Sequence, residues 1–101
     1  MFALGDRSKL SKTIRDWSGI SKLIEECSEL VVVCGKLIQS RGERKHWSGD
    51  LVDMMHDEIA DVLAAIEWVV EHAMLDRDRI KARRNEKLLK YREWHEGQNR
   101  P

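Results

Sequence analysis

Two short acidic runs, Glu25-Glu26-Cys27-Ser28-Glu29 and Asp57-Glu58-Ile59-Ala60-Asp61, each contain carboxylates three residues apart. On a helix, residues three apart share a side, so each pair offers oxygen ligands to one neighbour. Two such pairs facing each other make a four-carboxylate cluster, which needs a cation to offset its charge. All-oxygen ligation suits a hard divalent ion. Mg²⁺, with Mn²⁺ as a substitute, binds a few carboxylates while keeping positions for water and substrate phosphates. A di-iron bundle requires Glu-x-x-His pairs, and neither Glu26 nor Glu58 has His three residues on.

The elements that must position these acids are helices. Six glycines and a lone proline, Pro101, leave few breakers in 101 residues. Apolar residues recur at helical spacing through Leu23, Ile24, Cys27, Leu30, Val31, Cys34, Leu37 and Ile38. At about 100° per residue, Glu26 falls on the edge of that apolar arc and Glu29 one step further out, while Glu25 projects to the opposite face. Val32 and Val33 fall outside the arc. A second periodic segment begins at Asp50 and runs through Leu51, Val52, Met55, Ile59, Val62, Ile66, Val69, Val70 and Ala73 to about Leu75. There Glu58 lies inside the apolar stripe, Asp61 borders it and Asp57 points away. A carboxylate in an apolar stripe is costly to desolvate without a cation or hydrogen-bond partner. The competing account of Glu58 is a salt bridge to a basic helix. For Glu25 and Asp57, a solvated face is sufficient.

Residues 40–49 read as a polar, basic loop holding Trp47, and Asp76 as the N-cap of a last helix over about Arg77–Trp94. A short helix or arm in residues 1–17, with Leu10, Ile14 and Trp17 on one side, and a frayed tail over 95–101 complete a single domain. The fold class is therefore all-α: two long antiparallel helices carrying the acidic motifs, a basic C-terminal helix, and a bundle completed by oligomerisation.

Glu26/Glu29 and Glu58/Asp61 resemble the ExxE and ExxD motifs of the MazG-like all-α nucleoside triphosphate pyrophosphohydrolases. Lys81-Ala82-Arg83-Arg84-Asn85-Glu86-Lys87 is similar to that family's Lys-x-x-Lys-Asn segment, with Arg84 at the second basic position. The resemblance covers about Lys22 to Lys87. It implies Mg²⁺ held by Glu26, Glu29, Glu58 and Asp61, and cleavage of a nucleoside triphosphate between its α and β phosphates to the monophosphate and pyrophosphate. Lys81, Arg84 and Asn85, on one side of the last helix with Arg92, offer cations and an amide to the triphosphate. Trp47, in the loop before the ExxD helix, is the expected base-stacking residue, whereas Trp17 and Trp68 are expected to fill core or interface. The same resemblance points to dimers or tetramers. Phosphoribosyl-ATP pyrophosphohydrolase, with a similar acid pattern, is the nearest alternative.

Charge sorts by segment. Eight acids and no Lys or Arg occupy residues 50–76, and eight bases against two acids occupy 77–92, although the chain balances 18 Lys+Arg with 18 Asp+Glu. A neutral total gives no long-range attraction to nucleic acid, and a nucleic-acid-binding helical module, one rival, leaves Glu58 unexplained. The other rival is a plain oligomeric interaction protein whose acidic and basic helices pair with each other. Ala60, Ala64 and Trp68, at i, i+4 and i+8, form a second apolar stripe that suggests a homodimer or homotetramer. Cys27 and Cys34 lie about 10 Å apart along one helix, too far to bridge, and read as buried reduced thiols. With no apolar run long enough to span a membrane and no apolar leader, the chain is expected to be soluble and cytoplasmic.

Overall fold

A computed structural model describes residues 18–98 of the chain. The expected N-terminal helix over 1–17, with Trp17, lies outside the described residues. Three helices account for nearly all of the rest: α1 (Ser18–Gln39), α2 (Leu51–Ala73) and α3 (Arg77–Gln98). Between α1 and α2 the stretch expected to be loop contains a small antiparallel hairpin, β1 (Lys45–His46) paired with β2 (Gly49–Asp50). Two-residue strands are too short to show a periodicity of their own.

Each boundary has a local cause. α1 ends in a Schellman motif: the Gly42 N–H donates to the Leu37 carbonyl at 2.9 Å and the Arg41 N–H to that of Ile38 at 3.1 Å. Arg41 and Gly42 both take positive φ there, at 56° and 84°. The hairpin then reverses the chain around Trp47-Ser48, and Asp50 caps α2 by accepting the N–H groups of Val52 (2.9 Å) and Asp53 (3.1 Å). The Arg44 guanidinium, 2.8 Å from the Asp50 carboxylate, holds that carboxyl below its ordinary pKa, with the cap's backbone donors assisting. Met74 closes α2 in the left-handed region at φ 53°. Asp76 accepts the Arg79 N–H at 3.1 Å, as its reading as the N-cap of the last helix requires. That helix continues past Trp94 through residues expected to fray, ending at Gln98.

The core is the α1–α2 hairpin. Gly19 and Ala65 line the same cavity, and Glu26 and Glu58 meet in one cluster, so the two helices run antiparallel. On α1 the buried line is Gly19, Glu26 and Val33; on α2 it is Leu51, Glu58 and Ala65, with Leu51 fully enclosed and Glu58 half-buried. Both lines are seven-residue repeats, the spacing that keeps one seam against a partner helix. Each has a glutamate at its centre.

Val33 corrects the helical-wheel expectation. Placed outside the arc by the sequence pattern, it is 3% exposed, while Ile24, Val31 and Ile38, inside the arc, are 64–80% exposed. α2 packs on the edge of α1's apolar surface where Glu26 lies, and the middle of that surface stays open. Cys27, expected to be buried, is exposed on this open side, and Cys34 is half-buried. The helix α3 buries none of its residues. No described helix is long and apolar enough to cross a membrane.

Candidate metal centre

Glu26, Glu29, Glu58 and Asp61 converge: one carboxylate oxygen from each lies within 4.8 Å of all the others. The convergence follows directly from the helical register. Glu26 and Glu58 sit at the centres of the two facing seams, and Glu29 and Asp61, one turn on, flank them. Glu25 lies off the seam, 56% exposed and paired with Lys22 at 3.4 Å.

The electrostatics are those of an under-neutralised site. Glu26 is buried, and its Oε2 has no hydrogen-bond partner; nor has the buried Oε2 of Glu58. The expected rival for Glu58, a salt bridge to the basic helix, is not made among the described residues, where this oxygen has no partner. The Lys22 ammonium lies 3.4 Å from Glu26, and its pKa is raised by hydrogen bonds to Glu25 and Glu26. Glu29 is pushed above its ordinary value, first by the charge of Glu26, then by desolvation and by the charges of Glu58 and Glu25. Four carboxylates and one lysine leave a net negative site with two oxygens in want of a partner, which buried carboxylates seldom tolerate. A hard divalent cation satisfies both needs with the donor set present, so the four carboxylates fit such an ion.

Beside the carboxylates opens a cavity of about 570 Å³ lined by Gly19, Lys22, Glu26, Asp61, Ala64, Ala65 and Trp68. Lys22 and Trp68 were not singled out as site residues from the sequence. The signals were present: Lys22 precedes Glu26 by four and Trp68 follows Asp61 by seven, both spacings that return to the same helix face.

Trp47 stands elsewhere. It is 90% exposed at the hairpin tip, its ring tilted against His46 at 5.2 Å and 5.8 Å from the Lys36 ammonium. Lys36 is seven residues beyond Glu29, about 10 Å further along α1. Lys81, Arg84 and Asn85 share the exposed α3 and do not line the cavity of their own chain. The side-chain oxygen of Asn85 accepts from Arg84, at 3.2–3.4 Å. The structure thus brings together the four acids but not the basic or aromatic residues expected to join them. Against known proteins, no family model, curated protein or solved structure matches the chain.

Proposed function

We propose that the protein is a Mg²⁺-dependent nucleoside triphosphate pyrophosphohydrolase, cleaving a ribo- or deoxyribonucleoside triphosphate between the α and β phosphates. The observation that carries this reading is the four-carboxylate cluster, assembled from the two motifs that resemble ExxE and ExxD, with two buried oxygens lacking partners. Glu26, Glu29, Glu58 and Asp61 would hold the metal, which when bound neutralises phosphate charge and lowers the pKa of a bound water. In the hydrolysis a water oxygen would attack the α phosphorus as the bond to the bridging oxygen breaks and pyrophosphate leaves. Glu29, on the exposed side of the cluster and held above its ordinary pKa first by the charge of Glu26, accepts the proton of the attacking water. Lys22, already at the cluster's edge, adds positive charge for a phosphate.

The active unit is a homo-oligomer in this reading. Ile24, Val31 and Ile38 on α1 and Ile59, Leu63 and Ile66 on α2 form exposed stripes at helical spacing, too much contiguous apolar surface for a lone hairpin. A second hairpin laid on them makes a four-helix bundle. It also gives α3 something to act on, since Lys81, Arg84 and Asn85 would reach the triphosphate held by a neighbouring copy. Free cysteines too far apart to bridge accord with the cytoplasm.

The test is a panel of NTPs and dNTPs, with phosphoribosyl-ATP, incubated with and without Mg²⁺ and resolved into mono- and diphosphate, pyrophosphate and phosphate. Mg²⁺-dependent pyrophosphate release from the nucleotides is expected. Turnover of phosphoribosyl-ATP alone would move the substrate to that compound. No turnover with Mg²⁺ or Mn²⁺, together with salt-sensitive nucleic-acid binding that needs no metal, would replace the enzyme by a binding module built on α3.

A further inference from the structure

We propose that Trp68 is the surface on which the substrate's nucleobase stacks, a role that rests on the pyrophosphohydrolase reading for the phosphate end of the substrate. Asp61 and Trp68 are seven residues apart on α2, on nearly the same face and about 10 Å apart along the axis. Between them lie Ala64 and Ala65, and across the gap Gly19 of α1, the smallest side chains available. The result is a slot with carboxylates at one end, an apolar floor, and an indole at the other end. At about 570 Å³ it is within the range that encloses small-molecule ligands, roughly 300–1,000 Å³.

The indole is set for the role. It remains 46% exposed although it borders the cavity. The His72 ring lies 3.8 Å from it, centroid to centroid, at an interplanar angle of 31°, and the His72 Nδ1–H donates to the Trp68 backbone carbonyl at 3.0 Å. This ring pair restrains the indole's rotation and leaves less side-chain entropy to lose when a base stacks on it. A substrate held by phosphates at Glu26 and Asp61 presents its base along the floor toward Trp68, not toward Trp47 at the hairpin end of the molecule. A polyphosphate without an aromatic ring leaves the indole end of the slot unused.

The experiment measures, in Mg²⁺, the affinities of AMP, GMP, CMP, UMP and TMP and of inorganic tripolyphosphate for the wild type, Trp68→Ala and Trp68→Phe, with light scattering for oligomeric state. Trp68→Ala is expected to weaken the best-bound nucleotide roughly 5- to 100-fold, with tripolyphosphate binding and particle size unchanged and with Phe restoring most of the affinity. Unaltered nucleotide affinity in Trp68→Ala, an equal loss for tripolyphosphate, or a smaller particle overturns the proposal, the last by making Trp68 an interface residue. Pyrophosphate release is followed in the same variants. If wild type and Trp68→Ala hydrolyse nucleotides with the same KM, the stacking role falls and the enzymatic reading stands. If nucleotides bind through Trp68 but no pyrophosphate appears, the stacking role stands and the enzymatic reading falls.

Discussion

α2 and α3 are nearly equal in length, 23 and 22 residues, and opposite in charge and burial. α2 has a seam of Leu51, Glu58 and Ala65 that α1 covers, so its carboxylates have fixed neighbours. α3 carries eight bases and buries nothing, so Lys81, Arg84 and Asn85 have direction but no target in the same chain. One chain is enough to bring the four carboxylates together, whereas Lys81, Arg84 and Asn85 do not join them among the described residues. The acid–base partition between the two helices does not resolve into paired faces. Among the described residues, Arg77–Glu67 is the ion pair that joins α2 and α3, and Arg83 pairs instead with Glu86 on its own helix.

The sharpest way to break this contrast is at the centre of the α2 seam. Glu58→Gln keeps shape and removes a charge from a cluster short of cations. Hydrolysis is expected to fall by at least about 100-fold, the scale of one lost metal or transition-state contact, while the protein without metal unfolds at the same or a higher temperature. The rise in Tm on adding Mg²⁺, expected in the wild type from binding to the folded state alone, should vanish. Glu25→Gln, off the seam, should alter turnover by less than about twofold. Equal losses at positions 25 and 26 would overturn the seam geometry. Pyrophosphate release and Mg²⁺-titrated melting curves check all three variants.

The next effect is on assembly. Val31→Glu places a charge in the open stripe of α1 without touching the seam. Light scattering should show a shift to monomer, and activity should fall with it if α3 of one copy completes the site of another. A monomer with full activity would return Lys81 and Arg84 to mere surface charge. In the assembled protein Arg84→Ala should raise KM roughly tenfold, about 1.4 kcal/mol, with kcat little changed because the phosphates are held alike in ground and transition states.

How much of this the sequence carried depends on how many constraints met at each residue. Glu26, Glu29, Glu58 and Asp61 were legible because an i, i+3 pair on an amphipathic helix has few places to point. Asp76 announced the start of α3 through capping chemistry, and the apolar periodicity beginning at Asp50 gave the start of α2. Val33 was not legible. A wide apolar arc says that a face is covered but not which edge meets the chain's own neighbour, and here the Glu26 edge won. The cavity beside Trp68 was not legible for a related reason: the stripe with Ala60 and Ala64 was visible, but the cavity also depends on Gly19, which comes from the other helix. Tertiary juxtapositions of small residues leave no periodic trace.

The smallest effect concerns the corner that sets α3's departure from α2. The Arg77 guanidinium donates two parallel hydrogen bonds to the Glu67 carboxylate, at 2.6 and 2.8 Å, a bidentate geometry that favours the charged acid. It lowers the Glu67 pKa from 4.5 to about 2, with a further hydrogen bond involving Glu71 acting in the same direction. A depressed carboxyl pKa contributes stability that is fully present above the ordinary value and is lost as pH falls through about 2. Both side chains are at least half exposed, so the pair adds little to global stability, and Arg77→Gln should leave Tm almost unchanged. Its signature is local. Carboxyl-carbon NMR should place the Glu67 midpoint near the folded value in the wild type and return it toward 4.5 in Arg77→Gln, while amide exchange quickens across Leu75–Ile80, where α3 is hinged. An unmoved midpoint would mean that the helix connection, with its left-handed Met74 and the Asp76 cap, sets the angle of α3 without the ion pair.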